Sequence, residues 1–525
     1  MDQTEKRHCW ECRRRCLVCD STKPSCKRCT TSGTRCPGYD SVKPARIRWV
    51  EPGRVTSRDR RKPKRSLYTS VKEKGKGVMN AQNSSSSMPV ICAGLPPVVI
   101  CADAAAVPLV QAAEYFNACI YKDLKPVLEL GQNPHIYELS ASIIHNATSA
   151  PQFLQHGMYC IILSHRMNRI RKDPQAKRLN EKFYLHRGVA IRSLSKHLDA
   201  KYDGMDNVIM AGILMLLLVD IQHGTLFGWR CHLEQVQKLI SRRGGFHALV
   251  RFDMAEPLLL SIWFLAIIGN TTCPAADLGM TRVHLEASDF MLEKYDYASF
   301  PVGMCPQPLF IEIVRINHLR MRAVAVDAAE AEETALDAYR TLDRIHAFSP
   351  ILWTESRSLL SRQDWMRVSS AYQTAVALYC ILALQSASLI PETPSMRSQC
   401  AEHGHHLQSV LVECLASSRT KRFMVWPLVV LGVEAVHKGA APIRAFVADR
   451  LPELSCDLGT SVPLTAKAVL EAFWASGNER WDDCFDRQYI FTTQIAPDTS
   501  QLFPLYQRAA MSCKDTPCRD SALGC

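Results

Sequence analysis

Six cysteines fall at the spacing Cys9-x2-Cys12-x6-Cys19-x6-Cys26-x2-Cys29-x6-Cys36, which is Cys-x2-Cys-x6-Cys written twice. Residues 1–40 around them hold almost no large aliphatic side chains. Such a segment cannot close a hydrophobic core, so an ordered fold needs another source of cohesion, and metal is the obvious one. A Cys-x2-Cys step turns two thiolates onto one ion, and zinc takes four ligands in a tetrahedron. Six thiolates cannot furnish two separate four-ligand sites, but they serve two ions if two sulfurs bridge. The tandem symmetry assigns the bridges to the first cysteine of each half. One zinc then takes Cys9, Cys12, Cys19 and Cys26, and the other takes Cys26, Cys29, Cys36 and Cys9. Dense soft thiolates select zinc over magnesium or calcium. A redox Cys-x2-Cys would need a βαβ setting, which the pattern lacks, and iron–sulfur sites use other spacings.

Charge points the same way. The chain of 525 residues carries a formal net charge of +12. Residues 1–80 hold 22 Lys or Arg against 8 Asp or Glu, while the remaining 445 hold 41 against 43. The whole basic excess therefore sits beside the cysteine cluster, which implies a polyanionic partner, with nucleic acid the first candidate. The other fifteen cysteines are scattered singly from Cys92 onward and read as small buried apolar residues in a reducing compartment. Met1-Asp2-Gln3-Thr4-Glu5 is polar and acidic, so no secretory leader is expected. No unbroken apolar run reaches the ~18–20 residues that span a bilayer.

Four segments follow along the chain. Residues 1–42 form the cysteine module. Residues 43–109 read as a flexible basic linker containing Arg58, Arg60, Arg61, Lys62, Lys64 and Arg65, the composition of a nuclear import signal. Residues 110–510 read as all-helical. Trp229, Leu233, Val236, Leu239 and Ile240 recur at helical steps before Gly244-Gly245, which closes the segment as a C-cap. Asp206 reads as the N-cap of a buried helix, Asn207–Ile221, that ends at Gly224. Helices are also expected over 257–269, 372–389, 406–417 and 465–475. Residues 511–525 read as a disordered tail. No leucine heptad lies between Cys36 and Val110, so no dimerising coiled coil is announced.

The N-terminal pattern resembles the fungal binuclear zinc-cluster (Zn2Cys6) transcription factors. The resemblance rests on the six ligand positions, the arginines after Cys12, Asp20 after Cys19, Pro24 before Cys26, and the ending Cys36-Pro37-Gly38-Tyr39. It covers under a tenth of the chain. It implies that Arg13, Arg14 and Arg15 enter the major groove on a short helix, with Lys27 and Arg28 contacting phosphates in the second half. Arginine grips guanine O6 and N7 in a bidentate way, and phosphate contacts set register. Leu185-His186-Arg187-Gly188, Gly228-Trp229-Arg230-Cys231-His232-Leu233, Val425-Trp426-Pro427-Leu428 and Phe473-Trp474 resemble the helical regulatory domain of one branch of that family. The implied protein is a nuclear regulator of RNA polymerase II genes that binds double-stranded DNA, carries two zinc ions and engages the transcription machinery or co-regulators. A monomer on one half-site and a homodimer through the helical region both fit.

Two positions depart from the family. Cys16 and Val18 stand where family members usually carry lysines, the first of them a principal base contact. The departure puts the usual half-site in doubt and supports an alternative, a zinc-stabilised nuclear interaction protein that has lost specific DNA reading. Cys16 can also compete as a ligand. An enzyme is not expected: no nucleophile elbow, phosphate-cradling glycine loop or histidine pair at metal spacing occurs. His403, His405 and His406 read as solvated residues of a loop or helix start, and Asp482-Asp483 as exposed helix surface.

Overall fold

The computed structural model describes residues 9, 12, 19–22, 24–32, 36, 106–131, 136–171, 173–199, 206–224, 229–249, 256–298, 305–325, 328–355, 357–437 and 439–493. The chain divides into two compact units, Met1–Met88 and Pro89–Cys525. Residues 43–105 of the expected linker, the import run, residues 494–510 of the expected helical region and the expected tail, 511–525, lie outside the described residues.

The fold is mainly α, and no strand occurs among the described residues. Among the described residues, the first unit contributes the short helix α1 (Lys27–Thr31). The principal helices of the second are α2 (Ala106–Tyr115), α3 (Ala141–Thr148), α4 (Gln152–Arg169), α5 (Gln175–Asp199), α6 (Asp206–His223), α7 (Trp229–Arg242), α8 (Glu256–Thr271), α9 (Ser288–Ala298), α10 (Gln307–Ala325), α11 (Ala328–Ala347), α12 (Arg362–Ser386), α13 (Pro394–Ala416), α14 (Val425–Glu434), α15 (Ala441–Leu458) and α16 (Val462–Ser476).

Core position follows from which faces are apolar. Every residue from Val208 to Ile221 of α6 is buried, as is every residue of α14, so both are apolar all round and interior. α7 is amphipathic instead: Leu233, Val236 and Ile240 face the core while Glu234 and Gln235 are exposed. It ends where Gly244 and Gly245 take positive φ of 89° and 87°. The Gly245 N–H donates to the Ile240 carbonyl at 2.9 Å, the C-cap bond that needs left-handed residues. α12 runs through the centre, packed by α10, α11, α13 and α14. It contains an 18-residue window of mean hydropathy 1.2 that is 83% buried inside the unit. Ser369 and Thr374 interrupt that window, so it is no unbroken apolar run.

Several expectations need correction. Among the described residues of the second unit, helix is already present at Ala106, within the segment expected as linker. The helix expected over Asn207–Ile221 spans Asp206–His223. The helix expected over 372–389 starts ten residues earlier, at Arg362. Its first turns are polar because buried Asp364 pairs there with Arg419 (3.0 Å) and Arg367 (3.7 Å). The helix expected from His406 starts at Pro394, capped by Thr393 Oγ1, which accepts the Met396 N–H at 3.2 Å. His403, His405 and His406 therefore sit mid-helix. Gly404 is no loop residue: a Cβ there would lie 3.3 Å from Glu434 Cγ, so the glycine admits close approach of α14. Cys119, Cys160, Cys273, Cys305, Cys380, Cys400, Cys414 and Cys484 are buried, and Cys456 is exposed.

Candidate metal centre

The cysteine sulfurs converge as the spacing requires. Those of Cys9, Cys12, Cys19 and Cys26 lie within 4.8 Å of one another, and so do those of Cys9, Cys26, Cys29 and Cys36. Cys9 and Cys26 belong to both groups, and each group can hold a metal ion. Cys9 and Cys26 are completely buried although the segment has little apolar material, because the sulfurs bury one another.

The distances suit ligands rather than disulfides. Cys26 Sγ lies 3.6 Å from both Cys9 Sγ and Cys12 Sγ, and Cys9 Sγ lies 3.7 Å from Cys29 Sγ. A disulfide needs about 2.05 Å. A tetrahedron with metal–sulfur bonds of about 2.3 Å has edges of about 3.8 Å. Cys12 and Cys29, which fall in different groups, are also 3.9 Å apart, so the thiols form one continuous cluster. Burial, then the neighbouring thiols, push the Cys29 thiol up to about 12 and raise Cys9 and Cys12 as well. A bound cation would replace those protons and turn the mutual crowding into ligation.

Local structure repeats across the two halves. Cys9 Sγ accepts the Cys12 N–H at 3.4 Å, and Cys26 Sγ accepts the Cys29 N–H at 3.3 Å. Each shared sulfur thus caps the turn that brings the next cysteine round. In the second half that turn is already α1, which starts inside the Cys-x2-Cys step rather than after it. Asp20 Oδ2 accepts from Thr22 Oγ1 (2.6 Å) and from the Lys27 N–H (3.0 Å). The Thr22 bond first, then that N–H, hold its carboxyl below the usual range. Asp20 thereby fixes the start of α1 and leaves Lys27 and Arg28 exposed on its surface. Arg13, Arg14 and Arg15, together with Cys16 and Val18, lie outside the described residues.

The motifs of the second unit prove to be internal ties. Arg187 of α5 grips Asp220 of α6 through Nε (2.6 Å) and Nη2 (2.7 Å), and His232 Nε2 of α7 approaches the same carboxylate at 3.3 Å. Trp426 Nε1 donates to Thr271 Oγ1 (2.9 Å), and Trp474 Nε1 donates to the Gly432 carbonyl (2.8 Å). Sequence reasoning missed Arg320. It is fully buried and donates to the carbonyls of Asn270 (2.9 Å) and Cys273 (2.6 Å) and to Asp482 (2.7 Å). It thus satisfies carbonyls at the C-terminal end of α8, where positive charge is favoured. Asp482 is accordingly the partner of a buried arginine, not helix surface.

Comparison with known proteins agrees with this architecture. Residues 113–493 match the family model described as fungal specific transcription factor domain. The chain is 46% identical over 507 residues, covering 95% of itself and 92% of the relative, to a phomenoic acid biosynthesis cluster-specific transcriptional regulator of Leptosphaeria maculans. No solved structure matches it.

Proposed function

The chain belongs to the fungal-specific transcription factor family, and on that premise we propose that it is a zinc-dependent, sequence-specific DNA-binding regulator of RNA polymerase II genes. The observation that carries the reading is the pair of four-sulfur groups sharing Cys9 and Cys26, with a basic helix built directly on the second. Two zinc ions supply the cohesion the segment lacks, held by Cys9, Cys12, Cys19, Cys26, Cys29 and Cys36. Arg13, Arg14 and Arg15 read base edges, and Lys27 and Arg28 set the register on phosphates. The run Arg58–Arg65 directs nuclear import. The helical unit regulates activity through the transcription machinery or co-regulators. The relative's role in a biosynthesis cluster supports genes of a small-molecule biosynthetic cluster as the targets.

The division of labour between the two halves is testable by equilibrium binding of the zinc-loaded chain at several salt concentrations. Replacing Arg28 by alanine is expected to weaken binding to all duplexes alike and to reduce the salt slope by about 1. Replacing Arg13, Arg14 and Arg15 is expected to erase the preference among duplexes. An unchanged salt slope for Arg28→Ala, with zinc content intact, would remove the phosphate role.

A further inference from the structure

We infer that the helical unit holds a binding site for an amphipathic monocarboxylate, with its acid group on Arg422 and its apolar tail in the cavity bounded by α2, α3, α4 and α6. The cavity has a volume of about 160 Å³, and Leu109, Phe116, Ile144, Met158, Leu218 and Ile221 supply apolar wall. A cavity of about 150 Å³ accepts benzene, so this one accepts an apolar chain of roughly six or seven carbons beyond the acid group.

One wall is not apolar. Arg422 lines the cavity and is only 9% exposed. Fully buried Arg320 is paired with Asp482 and half-buried Arg187 with Asp220, while buried Arg166 does not line the cavity. The Arg422 side chain has no hydrogen-bond or ion-pair partner among the described residues. Its backbone carbonyl accepts from Thr493 Oγ1 at 2.5 Å, which fixes the residue in place. Asp123 acts on it only through space, because that carboxylate is hydrogen-bonded to Arg169.

A buried cation without a partner is costly, and a ligand carboxylate supplies the missing charge and acceptors. Burial draws the guanidinium down only to about 10, so it stays charged at neutral pH. Tyr137 and His165 are the other titratable groups on the wall, and His165 bonds through Nδ1 to the Tyr115 hydroxyl at 3.1 Å. Burial, then Arg169 and Arg422, push it down to about 3, so it remains neutral. With one cation to meet, a singly charged acid fits, whereas a phosphate dianion would bring a second charge with no partner. The site stands independently of the DNA reading, because binding is measured directly.

The test is calorimetric titration of the full zinc-loaded chain with octanoate and with 1-octanol. Octanoate is expected to bind at one site at least about ten-fold more tightly than octanol, the difference one charge-assisted contact supplies. Arg422→Met is expected to abolish that preference by weakening octanoate alone. Ala147→Phe, which fills the cavity from its half-buried rim, is expected to weaken both compounds. Equal affinity of octanoate and octanol for the unaltered chain would reduce the site to an apolar cavity and overturn the inference. So would no binding of either compound, or a preference that survives Arg422→Met. If that variant does not fold, the octanoate–octanol comparison on the unaltered chain and the Ala147→Phe result still decide.

Discussion

Replacing Cys26 by serine is expected to remove both metal ions at once. Its sulfur belongs to both four-sulfur groups and lies 3.6 Å from those of Cys9 and Cys12. It also accepts the Cys29 N–H that starts α1. A serine hydroxyl is a harder ligand, holds its proton and cannot bridge two soft ions. Metal binding in such a segment is its folding free energy, about 10–16 kcal/mol for a structural zinc, so partial loss is not expected. Elemental analysis of the purified chain should find about two zinc ions per molecule in the unaltered protein and near zero in Cys26→Ser. Residues 9–36 should become protease-sensitive while the helical signal of the second unit persists. Cys16→Ser should keep both ions, because the other six cysteines already complete both groups. A Cys26→Ser chain that retained two ions would contradict the bridging assignment.

Arg187→Met is expected to lower the unfolding free energy of the helical unit by about 3–5 kcal/mol, the cost of orphaning one partner of a buried ion pair. Asp220 is fully buried. Burial pushes its carboxyl up, but Arg187 and His232 outweigh burial and hold it below the usual range. A depressed carboxylate contributes stability above its unfolded pKa of about 4, and that contribution is lost as pH falls through the folded value. The difference between variant and unaltered chain should therefore be largest near neutrality and narrow on acidification. Urea denaturation followed by helical circular dichroism at pH 7 and pH 4 measures both. A loss below about 1 kcal/mol at pH 7 would show that the pair is not a structural tie.

The convergence of the six cysteines was legible in the sequence because their spacing is a local constraint: two residues between cysteines fix a turn whatever lies outside it. Helices α6, α7 and α8 were legible for the same reason, through apolar runs and a glycine pair that punctuate the chain locally. What escaped the reading depends on distant partners. The polar first turns of α12 hide a helix because Asp364 is satisfied by Arg419, more than fifty residues on. Asp482 reads as surface until Arg320 is placed beside it. The Arg422 cavity gathers residues from Leu109 to Thr493 with no spacing between them that a linear pattern could carry.

The central claim is that this cluster reads DNA sequence. The most direct test is selection from a random duplex pool by the full zinc-loaded chain at near-physiological salt. The account predicts one enriched motif, whose half-site spacing would also report whether the chain binds as a monomer or a dimer. Absence of any enriched motif, with two zinc ions confirmed per chain, would contradict it and leave a folded cluster that serves protein interaction instead.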